Sequence, residues 1–439
     1  MLKKLVSNIA HGRSLNASWK EGIPAAVMIS VTDYYLIPLG LLLGAKIHEI
    51  GLLVAVPQLI SSCSQPLAVK AVDMIGSRRK FLIAGCALQS LTLIPVALLP
   101  FFSFSHRMGV FIALIVLFRV LNNLIATVWG SLVSDYLIPG ERGKYLGWRN
   151  RIAGFAGLGG LVLGAVLLQT MKSRSPQLGF CLLFLVTATS RMLSAFLMSR
   201  MTDLKIERRA EDDFTFVQFV SRFRESNFVR FTLYVSGITF AANLTAPYIS
   251  VHLLNNLHFN YVEYMCVFFT SQAAQFISFP IWGRHADIVG NARVLKTTSL
   301  LLPLIPLYWI FVGDLRVLLI FEFAAGFVWG GFNLCSANYI FDAVTAEKRV
   351  RCLAYFSLIN GTALFLGATC GGYLADHVPQ WFHHRIATLF LFGSAMRFAV
   401  HFILSKRFRE VRAGARNVSS RELFYSVAGI RPITERTGE

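Results

Sequence analysis

The sequence predicts an all-α membrane protein of twelve transmembrane helices, arranged as two pseudo-symmetric six-helix bundles. Three observations predict it. Apolar runs close to or above the ~20 residues needed to cross a bilayer recur along all 439 residues. Lys and Arg gather in one alternate set of the connections between those runs. The second half of the chain repeats the first at fixed offsets.

Composition sets the class. Hydrophobic residues make up 55% of the chain and charged residues 15%, against about 25% charged in soluble domains, and mean hydropathy is +0.57. The runs are apolar on every face rather than alternating over ~10 residues, so helices are expected and a membrane barrel is not. The net charge of +19 is scattered over many short loops. Nucleic-acid binding needs a concentrated basic face, so no nucleic-acid partner is expected. The seven cysteines fall in or at the ends of runs without paired ligand spacing, which predicts neither structural disulfides nor a zinc site. The opening MLKKLVSNIAHGRS has basic residues and no apolar core of its own, so no cleaved signal peptide is expected.

The runs follow in order. The first, 21–45, carries Asp33 at mid-depth, with Ser30 and Tyr34 on its face at helical spacing. The second, 50–72, holds Gln58 and leads into the charged turn Asp73–Lys80, with Gly76, Arg78 and Arg79. The third is 81–102. The fourth, 108–134, has Arg119 near its middle, Asn122, Asn123 and Ala126 on the same face and Trp129 close by. Asp135 closes it, and Arg142 precedes the fifth, 150–171, whose glycines in GFAGLGGLVLG let helix backbones approach closely. The sixth, 178–199, contains Arg191, read as a structurally paired or snorkelling residue.

A longer break, from Arg200 to about Arg230, holds DDFTFVQFVSRFRE. Phe214, Phe216, Val217, Val220 and Phe223 predict a helix lying in the membrane interface, with Arg222 and Arg224 near headgroups. The seventh run, 229–253, contributes Ser236, Thr239 and Asn243, and the eighth, 262–283, contributes Gln272. GRHADIVGNAR follows, with Asp287, Gly290 and Arg293. The ninth is 296–312. The tenth, 315–341, carries Glu322, Gly326, Trp329 and Asn333 as a stripe, and Asp342 and Arg349 follow it. The eleventh, 353–375, contains GTALFLGATCGG, and the twelfth, 385–405, contains Arg397. The expected divisions are 1–199, an N-terminal bundle; 200–228, a cytoplasmic linker with the interfacial helix; 229–405, a C-terminal bundle; and 406–439, a cytoplasmic tail with a short helix and a loose end.

The halves match in order. At an offset of 214, Gln58, Pro66, Asp73, Gly76 and Arg79 meet Gln272, Pro280, Asp287, Gly290 and Arg293. At an offset of 207, Asp135, Arg142, Gly154, Gly160 and Gly164 meet Asp342, Arg349, Gly361, Gly367 and Gly371. This predicts one duplicated six-helix unit with parallel halves. Orientation follows from the cations: one set of connections holds only Lys46, Arg107, Lys172, Arg174, Arg316 and Arg385. The richer set, with both termini, is expected in the cytoplasm.

Each half thus carries D-x-x-G-x-x-R between its second and third spans and D-x6-R between its fourth and fifth. With the duplication and topology, this arrangement resembles the major facilitator superfamily of secondary transporters, whose loop motif G-x-x-x-D-R-x-G-R-R occupies the same place. The second copy keeps the leading Gly283; the first has Val69 there and Met74 in place of the family's arginine. The glycine-rich fifth run lacks the Gly-Pro found in proton-driven drug antiporters of the superfamily. The resemblance implies a cytoplasmic gate built from Asp73, Arg142, Asp287 and Arg349, with Gly76, Arg78, Arg79, Asp135, Gly290, Arg293 and Asp342 around them. It also implies a cavity lined by the first, fourth, seventh and tenth spans, on which Ser30, Asp33, Tyr34, Arg119, Asn122, Asn123, Trp129, Ser236, Thr239, Asn243, Glu322, Trp329 and Asn333 fall, with Gln58 and Gln272 of the second and eighth spans reaching the same space.

Ionisable groups at membrane depth are costly and are functional candidates. Asp33, Arg119 and Glu322 are therefore the expected coupling residues. Ser30, Tyr34, Gln58, Asn122, Asn123, Trp129, Ser236, Thr239, Asn243, Gln272, Trp329 and Asn333 are the expected cavity residues. For Asp33 and Arg119 the alternative is an ion pair that joins two helices, and for Glu322 a hydrated vestibule position. The sequence predicts a monomeric secondary active transporter of a small solute, working by alternating access with H+ as the coupling ion, in a bacterial inner membrane. A lipid or amphiphile flippase or exporter on the same scaffold, or an uncoupled facilitator, is the alternative. No nucleophile constellation, phosphate-cradling loop, cofactor site or metal site is present in the pattern, so an enzyme or ATP-driven pump is not expected.

Overall fold

The computed structural model describes residues 9–64, 67–137, 142–204, 226–344, 346–412, 416 and 418–427; the side chains of 9–10, 68–70, 142–144 and 346–351 fall outside that description. The described residues divide into two compact units, one of residues 1–209 with 250–265, the other of 210–249 with 266–439. The predicted interfacial helix at 214–223 lies outside the described residues.

The first unit is built from α1 (Ile9–Leu42), α2 (Ile47–Ser64), α3 (Leu67–Ile75), α4 (Arg78–Leu98), α5 (Arg107–Tyr136), α6 (Arg142–Met171) and α7 (Pro176–Met198). Inside it α1 packs on α6 and α7, α4 on α5 and α7, and α2 on α5. The second contains α8 (Asn227–Asn243), α9 (Ala246–Val251), α10 (Tyr261–Val289), α11 (Asn291–Leu301), α12 (Leu304–Phe311), α13 (Leu315–Ala343), α14 (Ala346–His377), α15 (Arg385–Leu404) and α16 (Ser420–Val427), with the ends of α9 and α10 nearest residues 250–265 belonging to the first unit. Here α8 packs on α14 and α15, α11 on α13, and α12 on α15. Four of the first unit's five pairings recur in the second, as a duplicated unit requires: α1 with α6 and α7 as α8 with α14 and α15, α4 with α5 as α11 with α13, and α4 with α7 as α12 with α15.

Among the described residues ten helical stretches are long and apolar enough to cross a membrane. The predicted seventh and eighth spans are helical too, but fall short of that measure for local reasons. Pro247 lacks an amide hydrogen and its ring conflicts with the carbonyl four residues back, so α8 ends at Asn243 and the chain resumes as α9. Along α10, Glu263, Gln272, Gln275, Arg284 and Asp287 lower the apolar content. The ninth stretch is broken in the same way, at Pro303, into α11 and α12.

Helix starts follow ordinary capping chemistry. Ser77, Ser175 and Ser226 each accept a backbone N–H at the start of α4, α7 and α8, and Asp314 accepts two at the start of α13. Gly160, Gly164, Gly367 and Gly371 of the glycine repeats do the close packing expected of them. A Cβ on Gly164 would lie 2.2 Å from the ring of Tyr35, whose hydroxyl donates to the Leu161 carbonyl at 2.5 Å. In the second unit a Cβ on Gly371 would lie 2.9 Å from the ring of Tyr248, whose hydroxyl donates to the Ala368 carbonyl at 2.7 Å. Leu161 and Ala368 are themselves 207 residues apart, so this tyrosine clasp belongs to the duplication.

The tail contains a short helix, α16, and the residues before and within it are tied to the second unit. Arg412 pairs with Asp287 at 2.8 Å, the Arg416 amide donates to the Ile288 carbonyl, and Ser426 Oγ lies 3.0 Å from His285 Nε2. Leu423 of α16 is fully buried. Residues 409–412, 416 and 418–427 therefore strap the α10–α11 turn; residues 413–415, 417 and 428–439 lie outside the described residues.

Candidate functional site

In the first unit, α1 and α5 bring Asp33 and Arg119 together, with Arg119 Nη2 donating to Asp33 Oδ1 at 2.6 Å. The pair is not sealed in the interior: its side chains are 42% and 26% exposed. On the same face of α5, Asn122 Oδ1 accepts from Gln89 and Asn123 donates to the Ser61 carbonyl at 2.6 Å. Gln58 is half-buried two turns along α2, and its carbonyl holds Ser61 and Ser62. Ser30 is buried one turn before Asp33, and the Tyr34 carbonyl accepts from Tyr264. Trp129 lies three turns beyond Arg119 and is covered by the Arg149 guanidinium, 4.0 Å from the ring centroid.

In the second unit, Glu322 is 7% exposed and takes a hydrogen bond from Tyr308. It is thus a packed interior carboxyl group rather than a hydrated vestibule residue. Trp329 and Asn333 lie two and three turns along α13, about 10 and 16 Å by helical rise, and do not join Glu322; Trp329 packs edge-on to Phe332 and Asn333 is exposed. Ser236 is buried, Asn243 donates to the Thr239 carbonyl, and Gln272 is half-buried on α10.

The charged turns are organised alike in both units. Gly76 and Gly290 have φ of +71° and +83°, the left-handed region that glycine enters without penalty, so each turn reverses sharply before the next helix. Arg78 pairs with Asp135 at 2.8 Å and also donates to Ser131 and the Leu204 carbonyl. In the second unit Asn291 donates to Asp342 at 2.7 Å. Asp203 accepts from Ser77 and the Arg79 amide, and Glu410 accepts from the Ala292 amide at 2.7 Å. Both carboxylates therefore sit at a helix N-terminus, where the helix dipole favours an anion. Arg79 donates further to the Met201 carbonyl. Asp73 lies exposed near the end of α3, three residues before Gly76. Asp287 holds Arg412, and its hydrogen bond raises the arginine's pKa above the ordinary value. The side chains of Arg142 and Arg349 lie outside the described residues.

Two groups of residues escaped the sequence reading. Asp203 and Glu410 stand 207 residues apart, the offset that pairs Asp135 with Asp342, so the repeat itself carries their signal. The other group, Glu21, Gln89, Arg149 and Ser194, joins Asn122 and Arg191 in an interior network. Arg149 donates to the Ser18 carbonyl and to Glu21 Oε1 at 2.7 Å; Ser194 donates to Glu21 Oε2; Arg191 donates to Ser194 and, at 2.6 Å, to Gln89; and Gln89 reaches Asn122. Five helices meet in it. Arg191 is thus a buried, hydrogen-bonded residue and not a snorkelling one. The predicted first span started at Glu21, whereas the apolar helix starts at His11, so this acid lies inside the span and not at its edge.

A family model for the Major Facilitator Superfamily matches the chain twice, over residues 23–245 and 231–435. The chain belongs to the Major Facilitator Superfamily. It is therefore an integral membrane protein and a membrane solute transporter. The two matches fall broadly on the two halves of the repeat, and the fold is similar to that of solved transporters. A variant of the nucleoside transporter NupG is similar at TM-score 0.71 and 12% identity, over 90% of this chain and 100% of the other. A bacterial homologue of the iron transporter ferroportin, inward-facing, gives 0.67 at 13% identity, over 90% and 98%. A bacterial homologue of the human lysosomal transporter Spinster gives 0.59 at 14% identity, over 92% and 98%. By sequence, no curated protein is matched. At such identities the likeness to solved structures concerns the fold alone.

Proposed function

We propose that this superfamily member is a secondary active transporter that moves a small solute by alternating access, coupled to H+, with Asp33 as the coupling carboxylate and Arg119 as its partner. One observation carries the reading. A charged pair that lies at the middle of two membrane helices and is substantially exposed cannot face hydrocarbon, where each charge costs several kcal/mol. The face of α1 and α5 that bears it therefore lines a water-filled path. Protonation of Asp33 removes its charge and frees Arg119, which changes the electrostatics of that path once per proton.

In this reading twelve spans place both termini in the cytoplasm of a bacterial inner membrane, and the chain works as a monomer without catalysing a covalent reaction. Ser30, Tyr34, Gln58, Asn122, Asn123 and Trp129 contribute the cavity side of the first unit; Ser236, Thr239, Asn243, Gln272, Trp329 and Asn333 contribute that of the second. Glu322 is a second protonatable group. The turn residues Asp73, Arg78, Arg79, Asp135, Arg142, Asp287, Arg293, Asp342 and Arg349 form the cytoplasmic gate.

The test is transport in proteoliposomes with an imposed pH gradient. Asp33→Asn is expected to abolish gradient-driven accumulation and leave solute exchange partly intact, because exchange needs no proton to leave the carboxyl group. Normal accumulation by Asp33→Asn with unchanged pH dependence overturns Asp33 as the coupling group and passes the role to Glu322. Uptake unaffected by the gradient in the unaltered protein points to a facilitator instead.

A further inference from the structure

The interior network of the first unit is electrically unbalanced. It contains two guanidinium groups, Arg149 and Arg191, and a single carboxylate, Glu21, which is 1% exposed and bonded to Arg149 on one oxygen and Ser194 on the other. Asp33 does not make up the difference, because it is engaged by Arg119. One positive charge is left over within the membrane span.

The charge is available at one place. Arg191 is 3% exposed and turned into the unit, toward Gln89 and Ser194. Arg149 is 12% exposed. Its Nε and Nη2 are taken by Ser18 and Glu21, while its Nη1 has no hydrogen-bond partner among the described residues. Its guanidinium carbon lies 4.0 Å from the Trp129 ring centroid, and Trp129 Nε1 is a buried donor that also finds no partner among the described residues. Gly22 makes the room: a Cβ there would stand 2.8 Å from Arg149 Nη2. In the second unit the repeat offset of 207 puts Phe356 in the place of Arg149 and Ser336 in that of Trp129. Arg397 there donates to the Leu302 and Ala242 carbonyls and to Thr245, all uncharged.

A guanidinium edge beside a second unpartnered N–H, with one uncompensated positive charge, is the recognition chemistry of an oxyanion. We propose that Arg149 and the indole N–H of Trp129 are the receptor for a carboxylate or phosphate group of the transported solute, and that Glu21 is the resident counter-ion of Arg149. A monoanion then neutralises the network without displacing Glu21. The proposal relies on the transporter reading only in calling the anion a solute for transport; the site belongs to the first unit and is separate from the Asp33–Arg119 pair.

The experiment is equilibrium binding to the purified full-length protein in detergent at fixed ionic strength, with benzoate, phenyl phosphate and the uncharged benzyl alcohol as probes. At least one of the two oxyanions is expected to bind and raise the melting temperature while benzyl alcohol does not, and which one does so separates carboxylate from phosphate. Arg149→Gln should abolish that binding. Trp129→Phe, which keeps the ring and removes the donor, should weaken it severalfold. Glu21→Gln removes the competing negative charge and should tighten it about tenfold, the exchange of one buried charge interaction of ~1.4 kcal/mol. A plain structural ion pair predicts instead that Arg149→Gln and Glu21→Gln both lower the melting temperature and neither changes the dissociation constant. That result overturns the proposal, as does equal binding of all three probes or binding of none. Because detergent binding needs neither a gradient nor Asp33, its failure is distinguishable from failure of the coupling assignment.

Discussion

Two glycines on α6 and α14 show how much a single position can carry. A Cβ on Gly367 would stand 2.3 Å from the Phe240 carbonyl oxygen, a backbone atom that cannot swing aside, whereas a Cβ on Gly159 would meet nothing within 4 Å. The same substitution should therefore have opposite signs at the two sites. Gly367→Ala is expected to destabilise by about 1–3 kcal/mol through overpacking. Gly159→Ala should gain about 0.5–1 kcal/mol, because alanine is the better helix former. Thermal unfolding in detergent checks this; equal shifts would sink the close-approach account of the eleventh-span glycines. The Asp287–Arg412 pair marks the other extreme. Both side chains are well exposed, and such pairs contribute only about 0–1 kcal/mol, so it positions the tail more than it stabilises the fold.

At the scale of an element, the starts of α4 and α11 explain why the charged turns hold their shape. Each of these helices begins after a glycine with positive φ and has its first amides bonded by a carboxylate from a distant segment, Asp203 in one unit and Glu410 in the other. Loss of a cap of this kind costs about 1 kcal/mol. Asp203→Ala should speed hydrogen exchange at the Arg79 amide, and Glu410→Ala at the Ala292 amide, each about fivefold. Unchanged protection would show that the carboxylates do not hold those helix ends. Glu410 does a second job: its side chain lies where a Cβ on Gly290 would be, so Gly290 is required both by its backbone angle and by the cap.

For the whole molecule, duplication is the organising fact. Matching helix pairs, matching tyrosine clasps and matching caps recur in both units, while the charged network around Glu21 has no counterpart among the described residues of the second. Topology is tested at this scale. With the native cysteines replaced, a cysteine at 140 or 142 should label only from the cytoplasmic side, and one at Ser173 only from the other. Labelling of both from one side would overturn the orientation read from the Lys and Arg distribution. If the units are as independent as their separate cores suggest, Leu15, Leu132 and Tyr145 in one and Phe231, Trp282 and Tyr339 in the other, destabilising one should leave hydrogen exchange in the other's core largely unchanged.

The sequence by itself determined the class, the places of the membrane helices and the duplication, because each is a property of the order of residues along the line. Apolar length sets what can cross a bilayer, and equal offsets reveal a repeat without any knowledge of folding. It also found Asp33 and Arg119, since a lone charge at mid-span stands out from its neighbours. Only the tertiary structure decided which charges meet. Glu21 looked like the polar edge of an apolar run until α6 and α7 brought Arg149 and Ser194 to it across about 130 and 170 residues of chain. The short tail helix was expected, but not what it reaches: Glu410 meets the Ala292 amide, Arg412 the Asp287 carboxylate and Ser426 the His285 ring. Charge pairing is a contact between segments distant in sequence, chosen by packing geometry, and no one-dimensional pattern records the choice.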